Sequence, residues 1–277
     1  MKAICISVAI GLAAGLCMSN ARAQDHGHLQ IGARGTNQGA QLYFYNGADF
    51  LTNSRYVKTL TFTNSSRYAG YYQGNITLAV QAATGDFGGP EPDAPALGSY
   101  IRARIVSVKG PLGGAFAFWE SGAASPTISV ATGESGTNTY NVTQTDGSPG
   151  VDPFGHIHGR RFTVTKPGIY VVSFQAFDTS TNGLNGGPIH TPSSIIDIYF
   201  QGGVNAQFIE PDEDHTHVHF AAPIGTTWQV EASNSIGPNA VWTPFGTAVE
   251  GDDYFHEVVD SRPVQGNRFY RIRGVLP

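Results

Sequence analysis

Cysteine is nearly missing from this 277-residue chain, and the two present, Cys5 and Cys17, both lie close to the N-terminus. That start has a charged opening, Met1-Lys2, an apolar stretch from Ala3 to Met18 and a small-residue exit, Ala21-Arg22-Ala23. These are the three parts of a secretory signal peptide, so residues 1–23 are expected to be a leader cleaved after Ala23. The expected mature chain then has no thiol and no disulfide, and its stability must come from core burial although export would permit cross-links.

Charge is also scarce, at 13% of residues against a usual figure of about 25%. Lys2 and Arg22 lie in the leader and no acid does, which leaves fourteen basic residues against twenty-one acidic and a net charge of −7 with histidine neutral. Nucleic acid and anionic membrane surfaces are poor partners for such a chain. Beyond the leader no apolar run approaches the roughly 18 residues of a membrane span. Enzyme signatures are missing too: there is no G-x-S-x-G elbow, no phosphate loop and no H-E-x-x-H.

What the chain has in excess is glycine, 35 residues, together with short runs of β-branched and aromatic residues. Examples are QLYFY, GNITLAVQ, SYIRARIVSV, GAFAFWE, GIYVVSFQAF, SIIDIYF, HVHFAA and RFYRIR, most of them bounded by Gly, Pro, Asn or Ser. Short runs of this kind separated by turn residues predict an all-β protein, an antiparallel β-sandwich. Ile101, Ala103 and Ile105 alternate with Arg102 and Arg104, which predicts a strand with one buried and one wet face. Bulk on both faces of residues 168–178 predicts a central strand, launched by a turn at Pro167-Gly168. The Gly- and Pro-rich residues 83–98 are expected to form a long surface loop. The stretch QGGVNAQFIEPDEDH is expected to be a linker, dividing a main β-sandwich at 24–203 from a C-terminal β-module at 206–277.

The residues from Gly113-Gly114-Ala115-Phe116-Ala117-Phe118-Trp119 through Pro126-Thr127-Ile128-Ser129-Val130 to Gly155-His156-Ile157-His158 and Thr165-Lys166-Pro167-Gly168-Ile169-Tyr170 form a recognisable series. It resembles the bacterial surface-anchored protein domain of the choice-of-anchor M type, most strongly over residues 110–175. Gly27-His28-Leu29 is similar to that family's opening Gly-His, and the C-terminal TWQVEAS, VWTPF and RFYRIR resemble small β-modules of secreted bacterial proteins. The resemblance implies a connection with metal, because family members are encoded beside transporters assigned to metal uptake.

The histidines point the same way by chemistry. Seven of nine fall at alternate positions: His26/His28, His156/His158 and His215/His217/His219. In a strand, residues two apart share a face about 6.6 Å apart, from two rises of roughly 3.3 Å, so two imidazoles can reach one ion at about 2.0 to 2.1 Å. Without cysteine the natural ligand set is His with carboxylate, which suits Zn, Cu or Mn. The expected metal ligands are His26, His28, His156, His158 and His190, gathered at one end of the sandwich, with Asp152 and Asp178 behind them. His215, His217 and His219 form a candidate secondary metal set, and Thr216, Val218 and Phe220 should point away from them. A free amine at Gln24, followed by Asp25 and His26, would also chelate Cu²⁺ or Ni²⁺.

Three functions fit these residues. One is a secreted non-enzymatic protein binding a transition-metal ion, in metal acquisition or at the cell surface. The second is a carbohydrate- or cell-surface-binding sandwich without metal, using aromatics such as Tyr71, Tyr72, Trp119 and Trp242 as stacking platforms. The third is a metalloenzyme with an open coordination position on the same histidines. A metal ion or a cell-surface component is therefore the expected partner.

Overall fold

A computed structural model describes residues 27–261 and 266–275; the expected leader and His26 lie outside the described residues. Thirteen strands occupy the first two hundred residues: β1 (His28–Ala33), β2 (Leu42–Phe44), β3 (Lys58–Phe62), β4 (Tyr72–Gly74), β5 (Thr77–Val80), β6 (Ile101–Lys109), β7 (Ala115–Trp119), β8 (Ile128–Ala131), β9 (Thr139–Asn141), β10 (Gly155–His156), β11 (Arg161–Val164), β12 (Gly168–Asp178) and β13 (Ile196–Gly202). The helical pieces among the described residues are short 3-10 turns such as Gly47–Phe50 and Gly85–Phe87. None of them is long and apolar enough to cross a membrane. The protein is all-β.

These strands form a four-stranded sheet, β10-β5-β1-β2, and a nine-stranded sheet, β8-β7-β11-β4-β3-β13-β12-β6-β9. Leu29, Ile31 and Val80 from the small sheet join Ile105, Phe116, Phe174 and Phe200 from the large one in a single buried cluster, so the two sheets face each other as a sandwich. Five phenylalanine rings make its centre; Phe116 and Phe200, from distant strands, lie 4.8 Å apart centroid to centroid. Two pairings depart from the expected antiparallel pattern: β1 runs parallel to β5, and β3 parallel to β13. Both join strands separated by intervening structure, which no tight hairpin can link, so local turn signals say nothing about their direction.

The alternation read from sequence is present. Ile101, Ala103 and Ile105 are fully buried and Arg104 is exposed on β6. On β12, which lies between β13 and β6, Tyr170, Val172, Phe174 and Ala176 face the core while Ile169 and Val171 are half-buried. Gly168 takes φ +121°, a conformation L side chains avoid, and a Cβ there would lie 2.9 Å from the Pro111 ring. The residues 83–98 are strapped down more firmly than a plain surface loop. The Glu91 carboxylate accepts the Ala82 N–H at 2.5 Å, the Asp93 carbonyl accepts the Ala33 N–H at 2.7 Å, and the Asp93 carboxylate accepts the Tyr43 hydroxyl.

The rest of the chain adds β14 (Phe208–Pro211), β15 (Thr216–Ala221), β16 (Thr227–Ser233), β17 (Thr243–Pro244), β18 (Val249–Glu250), β19 (Phe255–Asp260) and β20 (Phe269–Val275). Here β14-β15-β19 form one sheet, and β16 pairs β17, β18 and β20 in another. Val218, Phe220, Ala222, Val230 and Val258 make a second buried cluster.

The stretch expected to be an exposed linker is largely structured. Gln201 and Gly202 end β13, 208–211 form β14, and Val204 and Ala206 pack against the second cluster. The two parts are also locked together. The fully buried Gln201 side chain donates to the Ala221 carbonyl at 2.8 Å and accepts from the Ala221 N–H at 3.3 Å. Asp253 holds Lys58 at 2.6 Å; burial pushes its carboxyl above the usual range, and the ammonium only partly offsets this. A polar side chain facing both ways across a junction replaces the solvent contacts a flexible tether would have.

Candidate metal centre

β5 carries two strands on its flanks, β1 parallel and β10 antiparallel. His28 on β1 stands opposite Thr77, and His156 on β10 stands opposite Ala79, so the two histidines and these two residues share one face of the sheet. The other face carries Leu29, Ile31, Leu78 and Val80 into the core. Ala79 is the small residue between the histidine-bearing strands. Diagonally across β5, past Thr77 and Ala79, the Nε2 atoms of His28 and His156 approach to 3.3 Å, with ring centroids 4.5 Å apart and the rings edge to face.

Local chemistry fixes both backbones. Asn46, missed in the sequence reading, accepts the Gln30 N–H at 2.9 Å and donates to the His28 carbonyl at 2.8 Å, so one amide side chain clamps the start of β1 as a neighbouring strand would. At β10 the Gln144 side chain accepts the His156 N–H at 2.9 Å. Gly155 passes so close to the Val142 carbonyl that a Cβ would collide with it, which explains the glycine directly before His156.

His158 reaches the pair by another route than expected. Its strand ends at His156, and His158 sits exposed in the following turn, yet its ring lies 4.4 Å from that of His156. The convergence is therefore made across the sheet by His28 and His156, with His158 added by a turn.

His190 does not join them. It is buried, its Nδ1 donates to the Ala40 carbonyl at 3.0 Å, and its Nε2 accepts the Ala96 N–H at 2.9 Å. Burial pulls its pKa below the ordinary imidazole value, against the opposing pull of the Ala40 carbonyl and Asp178. Both ring nitrogens are spent on backbone. His190 also lies beside Thr191, which meets β2 next to the far end of β1. Five residue steps along β1 put that end about 16 Å from His28. Placing His190 in the ligand pool is thus corrected by its inward orientation.

The two carboxylates expected behind the ligands serve loops. Asp152 accepts the N–H groups of Ala83, Thr84 and Phe154 and the Thr84 hydroxyl. It thereby anchors the segment leading to His156. Asp178 accepts the N–H groups of Tyr100, Ser180, Ile189 and His190 and the Ser180 hydroxyl, which ties it to His190 and away from the pair. Among the described residues, no group of three or more His, Cys, Asp or Glu side chains is arranged to hold a metal ion. The ordered nucleus is the His28/His156 pair.

The stripe on β15 has the expected faces: Thr216, Val218 and Phe220 are buried, and the rings of His215, His217 and His219 follow one another at 6.5 and 6.4 Å. Its neighbours are acidic. His217 Nδ1 bonds Glu257 and its Nε2 lies 3.3 Å from Asp212, while His219 Nε2 lies 3.3 Å from Glu210 and His215 Nδ1 3.6 Å from Asp212. Carboxylates stand at opposite ends of the His217 ring, so one ion cannot take both. The Glu257 and Asp212 hydrogen bonds hold the imidazole above its ordinary pKa. This arrangement favours the protonated imidazole, and it disfavours the secondary metal set.

Of the aromatics proposed as stacking platforms, Trp119 is buried, donating from Nε1 to Thr163 at 2.9 Å, and Tyr71 packs on it. Tyr72 packs against the main core, and Trp242 is covered by the Arg271 guanidinium at 4.5 Å.

Comparison with protein-family models, curated proteins and solved structures returns no match, so the family likeness rests on the quoted motifs alone.

Proposed function

We propose that this chain is a secreted, non-enzymatic protein that binds a transition-metal ion at the His28/His156 pair, in metal acquisition or at the cell surface. The observation that carries the reading is the 3.3 Å approach of two imidazole Nε2 atoms from residues 128 apart in sequence. It is supported by the dedicated clamps on both backbones and by the absence of cysteine from the expected mature chain, which leaves imidazole as its strongest transition-metal donor.

The test is elemental analysis of the purified mature chain after equilibration with Zn²⁺ and desalting. About one ion per chain is expected, falling to background in the His28→Ala, His156→Ala double variant with unchanged circular dichroism. Equal metal in parent and variant would remove the reading. Binding should weaken as pH falls below about 6, because ligating imidazoles must be neutral.

A further inference from the structure

We infer that the His28/His156 site selects ions by tetrahedral geometry, taking Zn²⁺ and ions of the same habit in preference to the planar arrangement of Cu²⁺ or Ni²⁺; this rests on the metal-binding reading above. Two nitrogens each about 2.0 to 2.1 Å from one ion stand about 3.3 to 3.4 Å apart if the ion is tetrahedral, and only about 2.8 to 3.0 Å apart if they are neighbours in a square plane. The observed Nε2···Nε2 separation is 3.3 Å.

Both backbones are pinned, His28 by Asn46 and His156 by Gln144 and the close passage at Gly155. The strand-to-strand spacing is consequently imposed by the sheet, and the two side chains close the remaining distance. His158, exposed in the following turn with its ring centroid 4.4 Å from that of His156, is not arranged with the pair as a three-ligand set and would have to swing toward the ion to add a third imidazole. Three imidazoles on a tetrahedral ion leave one position for water or an exogenous ligand.

Affinity alone does not test this, since Cu²⁺ outranks Zn²⁺ at nearly any nitrogen site. Coordination geometry does. The metal-stripped mature chain is titrated with Co²⁺, whose visible absorption is intense when tetrahedral and weak when octahedral, and then with Zn²⁺ as competitor. The expected result is an intense visible band that saturates near one equivalent, is bleached by Zn²⁺, and is lost in both His28→Gln and His156→Gln. A His158→Gln chain should retain Co²⁺ more weakly, by on the order of tenfold or more, with an altered band. A weak octahedral-type spectrum on stoichiometrically bound Co²⁺ would overturn the geometric inference and leave the metal reading standing. No retention of Co²⁺ or Zn²⁺ by the folded parent chain would overturn both. If either Gln variant loses its parental circular dichroism, Ala79→Leu is the second variant. It keeps every histidine and wedges the rings apart, and it should lower Co²⁺ affinity at least tenfold; parental affinity and spectrum there would overturn the imposed spacing.

Discussion

At the β10-β5-β1 edge the imidazole of His156 meets that of His28 at 3.3 Å, whereas on β15 the imidazole of His217 lies between Glu257 and Asp212. Both arise from His-x-His segments that look interchangeable in sequence. Their cross-strand neighbours make them different. Beside β10, β5 offers Ala79, which leaves room for another imidazole from β1. Beside β15, the chain offers Glu210 on β14 and Glu257 on β19, with Asp212 just past β14. Imidazole facing carboxylate favours the protonated form, as at His217. The chemistry of a histidine pair is thus set by what the sheet places beside it.

The largest effect expected from this contrast is metal-linked stability. Zn²⁺ at a hundred times its dissociation constant should stabilise the folded chain by about 2.7 kcal/mol, and chelator should reverse the gain. Calorimetry with and without Zn²⁺ checks it in two variants. The gain should vanish in His28→Ala, His156→Ala and persist when His215, His217 and His219 are all changed to Ala. Retention by the first and loss by the second would invert the comparison.

A smaller effect tests the gap itself. Ala79→Val adds bulk on the shared face while leaving the core face of β5 untouched, and should weaken Zn²⁺ binding by about 1 kcal/mol or more, roughly fivefold, by isothermal titration. A change beside the β15 stripe, Val259→Ala on β19 opposite His217, should leave Zn²⁺ affinity within error. Equal effects would mean that the small residue is not what brings His28 and His156 together.

The smallest effect is a matter of protons. His217 is held above the ordinary imidazole value by Glu257 and Asp212, so its contribution to stability is fully present below about pH 6.5 and is lost as pH rises through its raised pKa. Asp212, through the His215 N–H first and then His217, and Glu257, through His217, are held below their ordinary values. Their contribution is present above the ordinary carboxylate range and is lost as pH falls through their lowered pKa values. The stripe therefore supports folding best in mildly acidic solution, between the two transitions. His190 has the opposite sign. Burial lowers its pKa, so its contribution is present in the neutral form and declines as pH falls below about 6.5. NMR titration of the imidazole protons should show His217 titrating above His190, and Glu257→Gln should bring the His217 midpoint down. A His217 midpoint at or below that of His190 would break the assignment.

Much of the architecture was legible from residue order. The all-β class, the buried faces of β6 and β12, the positive-φ glycine at 168 and the parity of the β15 stripe all follow from alternation and turn chemistry, which act within a few residues. Asp152 and Asp178 were expected behind the metal ligands, but both are buried on loop backbones, and those partners come from loops that sequence spacing does not relate. Within the stretch read as a linker, 208–214 are exposed while Val204 and Ala206 pack against the second cluster, and small apolar side chains carry no signal of that until a second core lies beneath them.

The sequence by itself determined which residues alternate, where the chain turns, and that imidazole is the strongest transition-metal donor in the expected mature chain. Tertiary structure alone decided that β1 runs parallel to β5, that His28 meets His156 diagonally across β5, that His158 arrives by a turn, and that His190 points inward to Ala40 and Ala96. The physical reason is one of range. Side-chain parity along a strand is a property of neighbouring residues, but the partner of a strand and the register of that pairing depend on burying the same core from both sheets, and a shift of one residue in β5 would turn the histidine face into the core face.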